Sequence, residues 1–259
     1  MFAAERKAKI KEILLEYKHV DVHTLSSLLS VSVATVRRDL DQLEETGFLK
    51  KLHGGAVLED SNDTEVQLSD IDDALYSEKA QIGAIASKLV QNNDVIFLGA
   101  GSSCLHIARN LKDKRNITVL TNNVNAIIEL AGHHTITIIA LGGEITSVDS
   151  SYAMSGPFAL SNVERVFVNK AFIPISGATI QEGYTEKDNN EADIYRHIMS
   201  RSDKNIIVAD YTKFGKRGFV GLGDLHQAEF VVTNVQLPHE YKSFFYDNNI
   251  TVFTTFDEI

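Results

Sequence analysis

At 259 residues, 44% of them apolar, the chain is long enough to bury a sizeable core, and it divides most naturally into a small unit followed by a larger one. A formal net charge of −10 disfavours field-driven, non-specific attachment to nucleic acid, so any DNA binding must rest on a local basic face and depend strongly on salt. One cysteine, Cys104, excludes an internal disulfide framework, the nine histidines show no metal-ligand spacing, and no apolar run approaches a membrane span or signal peptide; the expectation is a cytoplasmic protein with no metal and no cofactor.

In chain order, a first helix is expected over residues 4–17, with Ile10, Ile13, Leu14 and Tyr17 inward. Leu25, Leu28 and Leu29 then form an apolar stripe on a second helix, for which either Thr24 or Asp21 suits the cap. After Val31 as the turn, a third helix is predicted from Ser32, a good N-cap, to Thr46, with Gly47 as its left-handed stop. Val33, Val36, Leu40 and Leu43 share one face of that helix. At about 100° per residue, Ala34, Thr35 and Arg38 point the opposite way, with Arg37 on the flank.

This is the layout of a helix-turn-helix, in which the first turns of the second helix of the motif meet base edges and Arg can pair bidentately with guanine. Ala34, Thr35 and Arg38 are therefore candidate base readers, Arg37 a candidate phosphate contact, and Ser32 belongs to the same DNA-facing end. Asp41 and Glu44 further along would be repelled by phosphates, so only the first turns are expected to enter the groove. Residues 48–58 read as two short strands around a Gly-Gly turn, a wing from which Lys50, Lys51 and His53 would grip the backbone. Residues 1–60 carry nine Lys and Arg against ten Asp and Glu, so a single head is close to neutral and would bind weakly. Pairing heads through the rest of the chain raises effective concentration and matches a repeated or palindromic operator, which implies a homo-oligomer.

Residues 59–78 hold eight acidic residues and no Lys or Arg, the composition of a solvated tether or a loose edge element. The expected division is a winged helix-turn-helix at 1–58, an acidic linker at 59–77 and an effector-sensing, oligomerising body at 78–259. The body alternates helical and strand-like segments, which predicts a Rossmann-like α/β domain with a mostly parallel sheet. Its candidate strands are residues 95–98, 117–120, 136–141, 165–168, 206–209, 230–232 and 250–253. The loops that follow four of them are small and polar: Gly99-Ala100-Gly101-Ser102-Ser103, Thr121-Asn122-Asn123, Gly142-Gly143-Glu144, and residues 210–215 with Lys213. Ligands of open α/β sheets sit beyond the carboxyl ends of the strands, so these loops are expected to line one crevice. The first loop suits an anion, because its glycines admit a close backbone approach and Ser102 and Ser103 open a helix. The same glycines and serines would also serve plain strand-to-helix turns. Cys104, at that helix start, is either a redox-sensitive thiol or a small buried apolar residue.

Residues 31–58, VSVATVRRDLDQLEETGFLKKLHGGAVL, closely resemble the N-terminal domain of DeoR-family transcriptional regulators, down to the Arg37-Arg38-Asp39-Leu40 core and the Gly54-Gly55-Ala56 wing. Weaker ordered motifs extend the resemblance to about residue 235. It implies a C-terminal domain similar to the sugar-phosphate isomerase and CoA-transferase fold, whose loops hold a phosphorylated sugar or a related anionic metabolite. The family pattern reads roughly Asp-Ala-Gly-Thr-Thr where this chain has Gly99-Ala100-Gly101-Ser102-Ser103. It reads Thr-Asn-Ser at Thr121-Asn122-Asn123 and Asp-Lys-Ala-Phe at Asn169-Lys170-Ala171-Phe172, and the Lys-Phe-Gly motif is kept at residues 213–215. The lost carboxylates at 99 and 169 are expected to alter contacts to sugar hydroxyls more than contacts to phosphate.

An isomerase would need a positioned carboxylate base, and the segment Ile175-Ser176-Gly177-Ala178-Thr179, where fold-related enzymes carry acids, has none. Glu182, Glu186, Asp188 and Glu191 read as ordinary charge complementarity before a helix. No catalytic residue is expected. The function implied is a transcriptional regulator, a repressor of a carbohydrate operon whose grip on double-stranded operator DNA responds to an anionic metabolite. The alternative is a metabolite-binding or isomerase-like body with an accessory DNA-binding head.

Overall fold

The computed structural model describes residues 3–17, 19–29, 31–44, 48–52, 55–58, 75–148 and 151–256. The chain splits into two compact units, Met1–Gln67 and Leu68–Ile259. The predicted linker lies outside the described residues up to residue 74, as do Thr46, Gly47 and the Gly-Gly turn position at 54.

The first unit runs α1 (Ala3–Tyr17), β1 (His19–Asp21), α2 (Val22–Leu29), α3 (Val33–Glu44), β2 (Leu49–Leu52) and β3 (Gly55–Leu58). Its core gathers Ile10, Leu14, Leu25, Val36, Leu40 and Leu49, with Ile13 and Val33 packed at the margin; the side chain of Tyr17 lies outside the described residues. Of the two candidate caps for α2 it is Asp21 that acts, its Oδ1 accepting the Thr24 N–H at 2.9 Å. The stripe of α2 is Val22, Leu25 and Leu29. Leu28, expected inward, lies about 100° round the helix from their mean and is exposed. β2 and β3 pair antiparallel as expected, but β1 adds a third strand in the order β1-β3-β2. That strand explains Gly55: a Cβ there would lie 2.3 Å from the Val20 carbonyl oxygen, so the wing motif needs glycine for the close approach of β1.

The second unit runs α4 (Tyr76–Lys88), β4 (Val95–Leu98), α5 (Ser102–Arg109), β5 (Ile117–Thr121), α6 (Val124–Leu130), β6 (Ile136–Ala140), β7 (Glu144–Val148), β8 (Ser151–Ser155) and α7 (Gly156–Val163). It continues with β9 (Val168–Pro174), β10 (Gly177–Thr179), β11 (Gly183–Glu186), α8 (Asn189–Met199), β12 (Ser202–Val208), β13 (Val220–Gly223), β14 (Phe230–Val232), α9 (His239–Asp247) and β15 (Thr251–Phe253). Seven strands form one parallel sheet in the order β15-β14-β12-β9-β4-β5-β6. One face buries Ile82, Ile107 and Ala126 from α4–α6, and the other buries Val163, Tyr195 and Phe245 from α7–α9. The fold is therefore a doubly wound α/β sheet.

The strand expected at residues 165–168 instead begins at Val168 and ends at Pro174. A central strand buried on both faces shows an unbroken apolar run, here Ala171-Phe172-Ile173, and the alternation Arg165-Val166-Phe167-Val168 imitates a half-buried strand just ahead of it. The β7–β8 hairpin and the small antiparallel sheet β10-β11-β13 carry no comparable apolar runs. From β4 the chain winds outward through β5 to β6, then returns to β9 and winds the other way through β12 to β15. The direction reverses between β4 and β9, and the carboxyl end of that pair is where such sheets hold ligands.

Candidate DNA-binding face and ligand crevice

On α3 the motif Arg37-Arg38-Asp39-Leu40 divides cleanly. Arg37 and Arg38 are exposed and form no ion pair among the described residues, while Asp39 and Leu40 are buried. Asp39 accepts two hydrogen bonds from Arg6 of α1, Nε to Oδ2 and Nη2 to Oδ1 at 3.0 Å. A bidentate pair of this kind fixes the rotation of α3 against α1 and so aims the two exposed arginines outward. Ser32 caps α3 as expected, its Oγ accepting the Thr35 N–H at 3.2 Å and lying 2.9 Å from the Thr35 hydroxyl. Ala34 is exposed, and Thr35 is half-buried with its hydroxyl shared with the cap.

Lys51, expected on phosphate, instead pairs with Asp41, and its backbone N–H donates to Glu44 Oε1 at 2.7 Å. The Asp41 hydrogen bond holds the Lys51 ammonium above its ordinary pKa. The acids at the far end of α3 are therefore spent on tying the helix to the wing. The side chain of Lys50 and the whole of His53 lie outside the described residues.

In the second unit the first loop sits at the switch point. Gly99 N–H donates to the Phe172 carbonyl of β9 at 3.0 Å, and Ala100 N–H donates to the Tyr195 hydroxyl of α8 at 3.0 Å. Gly101 has φ 123° and leads into α5, where Ser102 is half-buried and Ser103 buried. A Cβ on Gly99 would lie 2.4 Å from Pro174 Cδ and 3.1 Å from Tyr195 Cε1, so this loop has no room for the side chain of an aspartate.

The second loop braces the first from beneath. Thr121 Oγ1 donates to the Leu98 carbonyl at 2.6 Å, and Asn123 Nδ2 donates to the carbonyls of Gly99 at 3.3 Å and Gly101 at 3.0 Å while its Oδ1 caps α6. Both are fully buried, so they shape the crevice rather than face it. Asn122 is just as buried, but its side-chain nitrogen and oxygen have no hydrogen-bond partner among the described residues. Gly142, at φ 73°, and Gly143, at φ 101°, turn the chain from β6 into β7, with a Gly143 Cβ excluded by the Ser155 carbonyl oxygen at 2.3 Å. Lys213 ends a short 3₁₀ turn beyond β12 and is half-buried, and its positive field reaches Glu186.

Two acids that no local sequence motif marks as buried lie next to these loops. Glu186, at the end of β11, is buried, and its Oε1 accepts the Ser176 hydroxyl, just past β9, and the Lys187 N–H at 2.7 Å. Its Oε2 has no hydrogen-bond partner among the described residues. Glu191 is buried beside it and accepts the Tyr195 hydroxyl at 2.8 Å, which makes a relay from Glu191 through Tyr195 to the Ala100 amide. Burial raises both carboxyls, Glu191 to about 7, with Glu186 and Asp188 adding to the rise and Tyr195 and Lys187 opposing it. Of the four acids read as helix-start charges, Asp188 is the N-cap of α8 and Glu191 lies in its first turn, though buried, while Glu182 and Glu186 lie outside the helix. The usable signal was Glu191 standing in helical phase with Tyr195 and Ile198, an acid on an apolar face.

A carboxyl raised by folding binds its proton more tightly in the native state, so its stabilising contribution is full below the unfolded value near 4.5 and fades as pH rises to about 7. Stability should therefore fall between pH 5 and 8 by up to roughly 3 kcal/mol, and Glu191→Gln should flatten that slope in urea denaturation. An unchanged slope in the variant would remove Glu191 as its source.

Cys104 is fully buried with Sγ 3.7 Å from the Phe172 carbonyl, and burial pushes the thiol pKa up, which disfavours the reactive thiolate. Among the described residues no group of three or more His, Cys, Asp or Glu is placed to hold a metal ion.

A family model for the DeoR-like helix-turn-helix domain matches residues 6–62, and one for the DeoR C terminal sensor domain matches residues 75–235. The chain belongs to the DeoR family of transcriptional regulators. It is 33% identical over 234 residues to the HTH-type transcriptional regulator YulB of Bacillus subtilis, covering 90% of each chain. It is 32% identical over 245 residues to the HTH-type transcriptional regulator GolR of Listeria innocua, covering 94% of this chain and 96% of that one. Against the glycerol-3-phosphate regulon repressor of Escherichia coli it is 27% identical, covering 96% and 98%. A solved D-ribose-5-phosphate isomerase superposes with a TM-score of 0.38 at 17% identity over 52% of each chain, too distant to carry an argument.

The two departures from the DeoR-family pattern have different weights. Gly99 is at the crevice, and Pro174 and Tyr195 occupy the space an aspartate there would need. Asn169 is at the opposite end of β9, its Oδ1 accepting the Val95 N–H at 2.9 Å and its Nδ2 donating to Asp203 at 3.2 Å. Five residues of strand, about 16 Å, separate it from Pro174. The expectation that a change at 169 alters ligand contacts is therefore corrected.

Proposed function

We propose that this DeoR-family regulator is a cytoplasmic repressor of a carbohydrate operon, acting as a homo-oligomer that releases its operator when the crevice between β4 and β9 takes up a phosphorylated sugar or a related anion. The observation that carries the reading is the split Arg37–Leu40 motif: two exposed arginines on a helix whose rotation the Arg6–Asp39 pair fixes. Ala34, Thr35 and Arg38 read bases, Arg37 and the wing lysine at 50 meet phosphates with His53, and Ser32 orders the helix start. A second strand of support is the match of the sensor-domain model to residues 75–235. The gap between the two family matches, 63–74, supports the acidic stretch at 59–77 as the tether.

In the crevice, the α5 start at Ser102 and Ser103 with Lys213 suits the anionic group and the Gly101 backbone lies beside it, while Gly99 and Ala100, whose N–H groups are held by Phe172 and Tyr195, shape the loop; Asn122 and Glu186 Oε2 are polar atoms left for hydroxyls. Thr121, Asn123, Gly142 and Gly143 hold the loops in place. The body senses rather than catalyses: the relatives are transcriptional regulators, and Glu191 spends an oxygen on Tyr195 instead of presenting a base. Among the described residues no helix is long and apolar enough to cross a membrane.

Ligand coupling of about 1–3 kcal/mol would change operator affinity 5- to 150-fold. Lys213→Ala should keep operator affinity within about twofold and lose that response, read by titrating sugar phosphates into the protein–DNA complex. Retained release in the variant would place the anion elsewhere.

A further inference from the structure

The sheet ends at β6 in an edge that lacks the devices by which proteins protect edges: Ile136–Ala140 contains no charged residue and no proline, and it pairs only with β5 among the described residues. One face of β6 is also uncovered. Ile136 and Ile138 turn into the core under α4–α6, but Thr137 and Ile139 turn to the α7–α9 side and are exposed, whereas strands of parallel sheets are ordinarily covered on both faces.

The segments that follow carry further exposed apolar side chains. Ile145 of β7 and Tyr152 of β8 are diagonal neighbours on one face of the hairpin, whose register pairs Ile145 with Met154 and Ser147 with Tyr152. α7 follows directly, Asn162 Nδ2 holding the Leu141 carbonyl at 2.8 Å. Ile139 is 44% exposed, Ile145 62%, Tyr152 38% and Phe158 of α7 78%. At about 200 Å² per large side chain these leave on the order of 400 Å² of apolar surface uncovered, about half of the ~800 Å² per partner of a standard interface.

We infer that the face formed by the β6 edge, the β7–β8 hairpin and Phe158 is where a second copy of this chain docks, about a two-fold axis that sets β6 antiparallel to its counterpart. Charge selects a second copy over a foreign partner. Two chains of net charge −10 repel, yet residues 136–163 contain only Glu144 and Asp149 as charged residues in a chain that is 23% charged, so this is a face where like copies meet with little repulsion. An uncharged strand edge is self-complementary under two-fold symmetry, since each strand offers the other the same row of N–H and C=O groups. The inference rests on the paired-head reading above for its symmetry.

Sedimentation velocity on the full chain tests it, using Ile139→Lys, Phe158→Glu and, as a control elsewhere on the surface, Phe219→Glu. The expected result is a dimer or a multiple of it for the wild type and the control, and at least a twofold drop in mass for each face variant with the far-ultraviolet circular dichroism and melting temperature kept. If Ile139→Lys misfolds, Phe158→Glu decides, because that side chain is mostly in solvent. A monomeric wild type would overturn the inference and paired heads together. Face variants that fold and keep the wild-type mass would overturn this face alone and leave paired heads standing on another surface.

Discussion

Arg38→Ala is expected to weaken binding to the cognate operator by about 5- to 150-fold, the loss of about 1–3 kcal/mol that follows removal of one bidentate base contact, and to relax the sequence preference at a single position of each half-site. The expectation follows from geometry. Arg38 is exposed midway along α3, and the neighbouring Asp39 fastens the helix to α1 through Arg6, so the arginine is presented on a rigid element. Lys51→Ala should do less than the loss of a free phosphate contact, because Asp41 already neutralises that ammonium. Anisotropy on the cognate duplex and on duplexes with single-base changes, at two salt concentrations, separates the cases. A loss that Arg38→Ala imposes equally on every sequence would put the residue on phosphate and move base reading to another part of the helix.

Gly143→Ala is expected to cost the second unit about 2–5 kcal/mol, the sum of a strained backbone at positive φ and a Cβ forced against a carbonyl. The residue has φ 101°, and its Cβ would lie 2.3 Å from the Ser155 oxygen and 3.2 Å from both the nitrogen and the Cβ of Ala159, so neither β8 nor α7 can yield easily. Gly142→Ala is the matched control. It shares the positive φ, 73°, but a Cβ there meets nothing within 4 Å, so only the backbone strain, about 1 kcal/mol, should be lost. Urea denaturation of the two variants tests the difference. Equal losses would mean that the contact with Ser155 is not what requires glycine at 143.

Much of the fold was legible where local pattern and tertiary role coincide. The third helix, with Ser32 as cap and Val36, Leu40 and Leu43 inward, follows from spacing alone, as do strands such as β4 and β14, whose bounds match the expected ones. Legibility failed where a partner distant in sequence decides the outcome. Nothing in the local pattern assigns Asp39 its partner Arg6, 33 residues away. Lys51 reads as a free cation until the wing folds back on Asp41. Glu186 and Glu191 read as helix-start charges because burial of a carboxyl depends on strands β9 and β11 and on Tyr195 closing over the glycine loop. Asn123 reads as a ligand contact because its hydrogen bonds to Gly99 and Gly101 cross between loops more than 20 residues apart.

The central claim joins a DNA-reading head to an anion-sensing crevice. The measurement that tests it most directly is fluorescence anisotropy of the full chain on a labelled duplex from upstream of its own operon, against a scrambled duplex, with and without a panel of sugar phosphates. The account predicts preferential binding to the first duplex and its release by a phosphorylated sugar in the panel. Equal binding to both duplexes, unmoved by any member of the panel, would contradict it.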